Sequence, residues 1–172
     1  MHPIPVVHGL TMGEYASMVY GEHWMPATEN EEWRTAFEKK GGIEVIRCKG
    51  YSHHKVFTEF QVPPSPNLRS IEAIWHYPSL CYFEGTPISC GRGTDAPFTR
   101  IGAPWLDGEG YEHRFIPAPD HGSKYPKFPR KECGGVQVPQ EITTAPKEID
   151  WSYLFNVYAY WKENAPAEVP EF

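Results

Sequence analysis

The sequence predicts an α+β fold: one mixed domain over residues 1–172, with several helices and short strands. Three observations carry this. Helix signals stand near both ends of the chain, and short runs of strand character lie between Gly- and Pro-rich breaks in its middle. Strands and helices also do not alternate regularly, as a doubly wound parallel sheet would require.

Taken in order, Thr11 and Glu14 form an S/T-x-x-E capping box, and Tyr15, Met18 and Val19 recur at helical spacing until Gly21. The spacing predicts a helix over about 12–20. A second short helix is expected over 31–40, where Trp33 and Phe37 are four apart and Gly41 and Gly42 follow. Ile43, Val45 and Ile46 have the β-branched character of a strand. After the break at Pro63, Pro64 and Pro66, Ile71, Ile74 and Trp75 mark one helix face. That helix is expected to end near Tyr77, with a turn before Ser79, because Pro78 disfavours helical geometry in its predecessor. Strands are expected at 98–103, 114–116 and 135–138. Finally, Asp150 is the expected N-cap of a helix whose Trp151, Leu154, Phe155, Tyr158 and Trp161 form an apolar face.

Composition narrows the function. A net charge of -6 gives no clustered Lys and Arg for a phosphate backbone, which argues against nucleic-acid partners. No run approaches the ~20 apolar residues of a membrane span, and Met1 to Pro5 show neither a basic leader nor an apolar stretch, so no export signal is expected. Cys48, Cys81, Cys90 and Cys133 lack metal-finger spacing and read as free thiols behaving as small hydrophobes, with a disulfide left open. Among the eight histidines, His53 and His54 are adjacent, and His113 and His121 lie near Asp120, but no ligand spacing such as HExxH appears. No metal site is expected. Ser79 and Ser89 lack the G-x-S-x-G elbow of a serine nucleophile.

The chemistry concentrates between Tyr77 and Trp105. Glu84 follows Leu80, Cys81, Tyr82 and Phe83, so a carboxylate emerges from an apolar run, where desolvation would suit it to proton transfer. Glycoside hydrolysis uses such carboxyl groups, and sugar rings stack on aromatic faces such as Tyr82, Phe83 and Trp105. Arg92 lies between Gly91 and Gly93, where backbone can approach a ligand closely, and its planar fork can hold a carboxylate. Thr94 and Asp95 extend this substrate-binding set, and the whole of 77–105 is expected to line one continuous concave surface. Each residue also has a structural reading: Glu84 paired with Arg92, and the aromatics as core.

These motifs carry a resemblance. Residues 77–86 (YPSLCYFEGT), 91–94 (GRGT) with Pro97 and Phe98, and 101–105 (IGAPW) resemble the NamZ-like exo-β-N-acetylmuramidases, with further agreement at 3–15 (PIPVVHGLTMGEY), 62–68 (VPPSPNL) and 133–138 (CGGVQV). The resemblance implies a chain equivalent to the family's second, carboxyl-side domain, truncated at both ends and without the amino-terminal Rossmann-like domain. It also implies hydrolytic release of terminal N-acetylmuramic acid from the non-reducing end of peptidoglycan fragments, with no metal or organic cofactor. Glu84 is then the expected catalytic or substrate-orienting carboxylate, and Arg92 the ligand of the muramic-acid carboxylate. The family's first domain carries a glutamate in a Pro-Glu-His-Gly motif; Gly21, Glu22 and His23 only echo it. Two other readings stay open: a non-catalytic muropeptide-binding or interaction module, and a histidine-dependent metalloenzyme.

Overall fold

The computed structural model describes residues 4–5, 7–139, 141–142 and 144–169. Met1 to Pro3 and Val6, where the leader reading and part of the 3–15 motif fall, lie outside them. The chain divides into two compact units, Met1–Lys55 and Val56–Phe172. No described helix is long and apolar enough to cross a membrane.

In the first unit, α1 (Met12–Gly21) begins at the expected capping box: the Glu14 amide donates to Thr11 Oγ1 at 3.2 Å, and the Thr11 amide donates to Glu14 Oε2 at 2.8 Å. A 3-10 turn (Pro26–Glu29) leads into α2 (Glu31–Lys39), where Asn30 Oδ1 caps the Trp33 amide. Trp33 stacks on Phe37 at 5.0 Å, as their spacing of four requires. The strand expected at 43–46 does not form; no other strand pairs with this segment in the described residues. Val45 instead lies against Gly13 of α1, whose added Cβ would meet Val45 Cγ1 at 2.5 Å, and Ile46 is left 88% exposed. β-branching favours a strand only where a neighbouring strand completes its hydrogen bonds.

The capping box is also a titratable device. The Thr11 amide, and then the bond from His53 at 3.0 Å, hold the Glu14 carboxyl down at about 2, against an ordinary value of 4.5. A depressed carboxyl contributes stability above its unfolded value and loses it as pH falls through the folded one. Thermal unfolding should therefore show an acid limb between about pH 4.5 and 2 that flattens in Glu14→Gln; an unchanged limb would show that the box does not govern acid stability.

In the second unit, α3 (Ile71–Leu80) is capped by Ser70, whose Oγ accepts from the Ala73 amide at 3.1 Å. The expected stop at Tyr77 is overridden. The helix runs through Pro78 to Leu80 and tightens into a 3-10 turn (Cys81–Gly85), so Ser79 is helical rather than preceded by a turn. Proline removes only the bond to the Ile74 carbonyl, and it does so in the last turn. Against that loss, Ala73, His76, Ser79 and Leu80 are buried, the Cys81 amide donates to the Tyr77 carbonyl, and Ser79 Oγ accepts from the Asp150 amide at 2.9 Å. These bonds also account for Ser79 as a structural hydroxyl.

The sheet has the order β1-β3-β2, all antiparallel, from β1 (Arg100–Ala103), β2 (His113–Phe115) and β3 (Cys133–Gln137). Helices with a small antiparallel sheet are the predicted α+β class. β1 starts two residues later than expected because Phe98 has a φ of 59°, a left-handed turn conformation that no strand continues. The core gathers Leu80, Phe83, Ile88, Ile101, Leu106, Val138 and Val157, all essentially solvent-free.

The last helix, α4 (Ser152–Asn164), starts one residue later than expected; Asp150 Oδ1 accepts from the Ser152 amide at 2.9 Å. Its inward face is Tyr153, Leu154, Val157 and Tyr160. Trp151, Phe155 and Tyr158, assigned to that face on the sequence, are 40%, 64% and 42% exposed. Two aromatic stripes flank each other on α4, and hydrophobicity alone cannot choose between them.

Candidate active site

The 3-10 turn delivers Glu84 to the surface directly after Phe83 enters the core fully buried. Eight residues on, Arg92 returns to it: Arg92 Nη1 donates to Glu84 Oε1 at 2.7 Å. The expected desolvation of Glu84 is not found, because its side chain is 35% exposed, in a polar depression. That depression is a cavity of about 260 Å³, lined by Glu84, Ser89, Cys90 and Arg92 on one side of the sequence and by residues 122–127 on the other.

The glycines around Arg92 serve the fold rather than a ligand's approach. Gly91 and Gly93 have φ of 76° and 80°, and a Cβ on Gly93 would meet the Ala118 carbonyl oxygen at 2.6 Å. The left-handed backbone and the lack of space both require glycine, and together they turn Arg92 toward Glu84. Thr94 closes the same turn, its Oγ1 donating to the Gly91 carbonyl at 2.6 Å and accepting from the Ala96 amide at 3.2 Å.

The rest of the predicted set is not brought here. Asp95 pairs with Arg100 at 3.2 Å in a separate cavity of about 560 Å³ beside the start of α3. Tyr82 packs on Trp151 at 4.7 Å, and Trp105 lies against the core, stacked on Tyr160 at 6.4 Å. Residues 77–105 therefore do not line one continuous concavity: Glu84 and Asp95 line different cavities, and Trp105 packs on the core.

The opposite wall was not legible from spacing. Asn67 and Arg69, at and just past the end of the VPPSPNL motif, fasten it: Asn67 Nδ2 donates to the Gly122 carbonyl at 2.7 Å, and Arg69 Nη2 pairs with Asp120 Oδ2 at 2.5 Å. Asp120 in turn accepts from the Ser123 amide at 2.6 Å. Lys124 and Lys127 thereby join Arg92, giving three cations around one carboxylate. Such a cavity favours an anionic or strongly polar ligand.

Other nucleophiles are quiet. Burial, and next the nearby Glu84 charge, push the Cys90 thiol up to about 11, and burial pushes Cys133 up to about 12, so neither supplies a thiolate near neutral pH. All four cysteines are free, though Cys48 is exposed rather than buried. Ser89 Oγ accepts from the Gly91 amide at 3.2 Å. Among the described residues, no group of three or more His, Cys, Asp or Glu side chains is placed to hold a metal ion. His53 bonds Glu14, His76 Nε2 lies 2.9 Å from the Pro139 carbonyl oxygen, and Asp120 is committed to Arg69. In the Gly-Glu-His echo, the Glu22 backbone N–H closes the end of α1, and His23 bridges the Thr28 carbonyl and Arg34.

Against protein-family models, residues 75–162 match the C-terminal part of exo-β-N-acetylmuramidase NamZ. The chain belongs to the NamZ exo-β-N-acetylmuramidase family. Residues 1–72 match the N-terminal model of NamZ, on the segment for which only second-domain likeness was expected. A curated relative, the peptidoglycan β-N-acetylmuramidase NamZ of Bacillus subtilis, is 36% identical over 109 residues, which take in 62% of this chain and 23% of that protein. A crystal structure of a DUF1343 family protein from Bacteroides fragilis is 39% identical with a TM-score of 0.76, covering 92% of this chain and 42% of that one. The chain thus spans less than half the length of each of these NamZ-like relatives. Glu84, Arg92 and the 122–127 wall all fall inside the C-terminal NamZ match.

Proposed function

We propose that this chain is part of an exo-β-N-acetylmuramidase that hydrolyses terminal N-acetylmuramic acid from the non-reducing end of peptidoglycan fragments, with Glu84 as its carboxylate and Arg92 as the ligand of the lactyl carboxylate. The observation that carries the reading is the Glu84–Arg92 pair at 2.7 Å in a cavity flanked by Lys124 and Lys127, on the segment matched to the family's C-terminal part. In it, Arg92 orients the Glu84 carboxylate through Nη1 and offers the rest of its fork to an incoming anion. As the ionised carboxylate Glu84 then accepts a proton from the attacking water; in its protonated form it would instead donate one to the glycosidic oxygen of the leaving group.

A specific observation favours a second reading. Glycosidases generally flank the scissile bond with two carboxyl groups, and among the described residues lining this cavity Glu84 is the one carboxylate. Taken alone, that wall suits a muropeptide-binding module whose catalytic partner is supplied elsewhere. Release of the chromophore from a chromogenic N-acetylmuramide separates the two: turnover by the chain sinks the binding-module reading, whereas binding without turnover reserves the enzyme label for the complete protein. In either case Arg92→Ala should weaken N-acetylmuramic acid binding by about 1.5–3 kcal/mol, measured by calorimetry. The loss should shrink with N-acetylglucosamine, which lacks the lactyl carboxylate; equal losses on both sugars would make Arg92 a scaffold residue.

A further inference from the structure

Lys127 lines the cavity with Glu84 and Arg92, yet its head group does not point to solvent, where a surface lysine places it. Its Nζ donates to four main-chain carbonyls: Phe83 at 2.8 Å, Glu84 at 3.0 Å, Thr86 at 2.5 Å and Ile88 at 3.0 Å. Three ammonium protons are shared among four acceptors, so the segment 83–88 is wrapped around the cation. Within the segment the 3-10 turn runs to Gly85, and the Thr86 amide and hydroxyl both return to the Phe83 carbonyl, at 3.2 and 3.0 Å. Beyond it, Ser89 is fixed by its paired bonds to Gly102 of β1. Glu84 therefore rides on a loop tied at one end to α3 and at the other to the sheet, with the Lys127 ammonium filling its middle. Burial lowers this amine's pKa, and the nearby Cys90 and then Glu84 oppose the shift, as expected for a head group drawn out of water.

We infer that Lys127 is the positioning residue of the site: its ammonium, caged by the carbonyls of Phe83, Glu84, Thr86 and Ile88, sets the loop conformation that presents Glu84 beside Arg92. This rests on the reading of Glu84 as the functional carboxylate. It assigns Lys127 no contact with substrate; the lysine acts through the backbone that carries Glu84. Methionine would keep the apolar stem and leave the four carbonyls without their donor, whereas a small cation supplied from solution could refill the cage of an alanine variant.

The test uses this chain with Lys127→Met, Lys127→Arg and Lys127→Ala, following exchange of the Thr86 amide proton and affinity for N-acetylmuramic acid. In Lys127→Met, exchange should be about 10²-fold faster and affinity about tenfold or more lower, with the circular dichroism of the fold retained. Lys127→Arg, which keeps donors, should recover part of both. n-Propylammonium should restore Lys127→Ala and leave Lys127→Met unchanged; if the alanine variant does not fold, the methionine and arginine pair decides. Wild-type exchange and affinity in Lys127→Met would overturn the inference, as would equal defects in the methionine and arginine variants. If the wild-type chain does not bind N-acetylmuramic acid, the functional reading of Glu84 fails, while Thr86 exchange still decides whether Lys127 orders the loop.

Discussion

Replacing Glu84 with Gln in a complete family member that carries these motifs should lower kcat about 10²–10⁴-fold, with little change in KM. Glutamine keeps the length of the side chain and an oxygen that can still accept from Arg92 Nη1, so the 2.7 Å contact can survive while the titratable proton is lost. The stability change should be small by comparison. The pair is 35–40% exposed, and ion pairs of that exposure contribute only about 0–1 kcal/mol. Kinetics and thermal unfolding on the same variant therefore discriminate sharply. Full kcat with a lowered melting temperature would move Glu84 into the scaffold and leave the chemistry to another part of the protein. The proposal also requires a second carboxyl group from outside this cavity, because a single carboxylate cannot both protonate the leaving group and activate the nucleophile in one step.

What could be read from the sequence was what depends on neighbours a few residues away. The Thr11 and Glu14 capping box, the Trp33 and Phe37 pair and the three short strands all follow from local spacing, and each has its counterpart in the structure. The apposition of Glu84 and Arg92 came within reach for the same reason: only eight residues separate them, and a left-handed Gly-Arg-Gly turn folds one onto the other. Failures begin where distant segments decide. Pro78 reads as a stop until the burial of Leu80 and the bond from the Asp150 amide to Ser79 are known, the latter spanning 71 residues. Lys127 sits 43 residues from Glu84 in a stretch of Gly, Ser, Lys and Pro whose composition says only loop. Asp95 and Trp105 were grouped with Glu84 through sequence proximity, yet β1 and the core carry them elsewhere.

Gly135→Ala should be the most damaging small substitution in the second unit, costing at least about 3 kcal/mol, the upper end of the range for overpacking. β3 is the central strand, and Gly135 faces Gly102 of β1 across the ladder. An added Cβ would lie 1.9 Å from the Ile101 carbonyl oxygen and 2.7 Å from Gly102 Cα. Both are main-chain atoms of a strand whose Ile101 and Ala103 are fully buried, so no flexible side chain can swing aside. Relief requires β1 to shift. Since Ser89 holds the Glu84 loop to Gly102 by bonds of 2.8 and 2.9 Å, that shift should reach the candidate site as well. Gly85→Ala is the control: its Cβ would find nothing within 4 Å, although it adjoins Glu84 itself, and its melting temperature should stay near that of the wild type. Thermal unfolding of the two variants should thus separate by roughly 10 °C or more. A Gly135→Ala protein that melts with Gly85→Ala would mean that β1 and β3 lie farther apart than this packing allows, and the coupling from the CGGVQV strand to the Glu84 loop would fall with it.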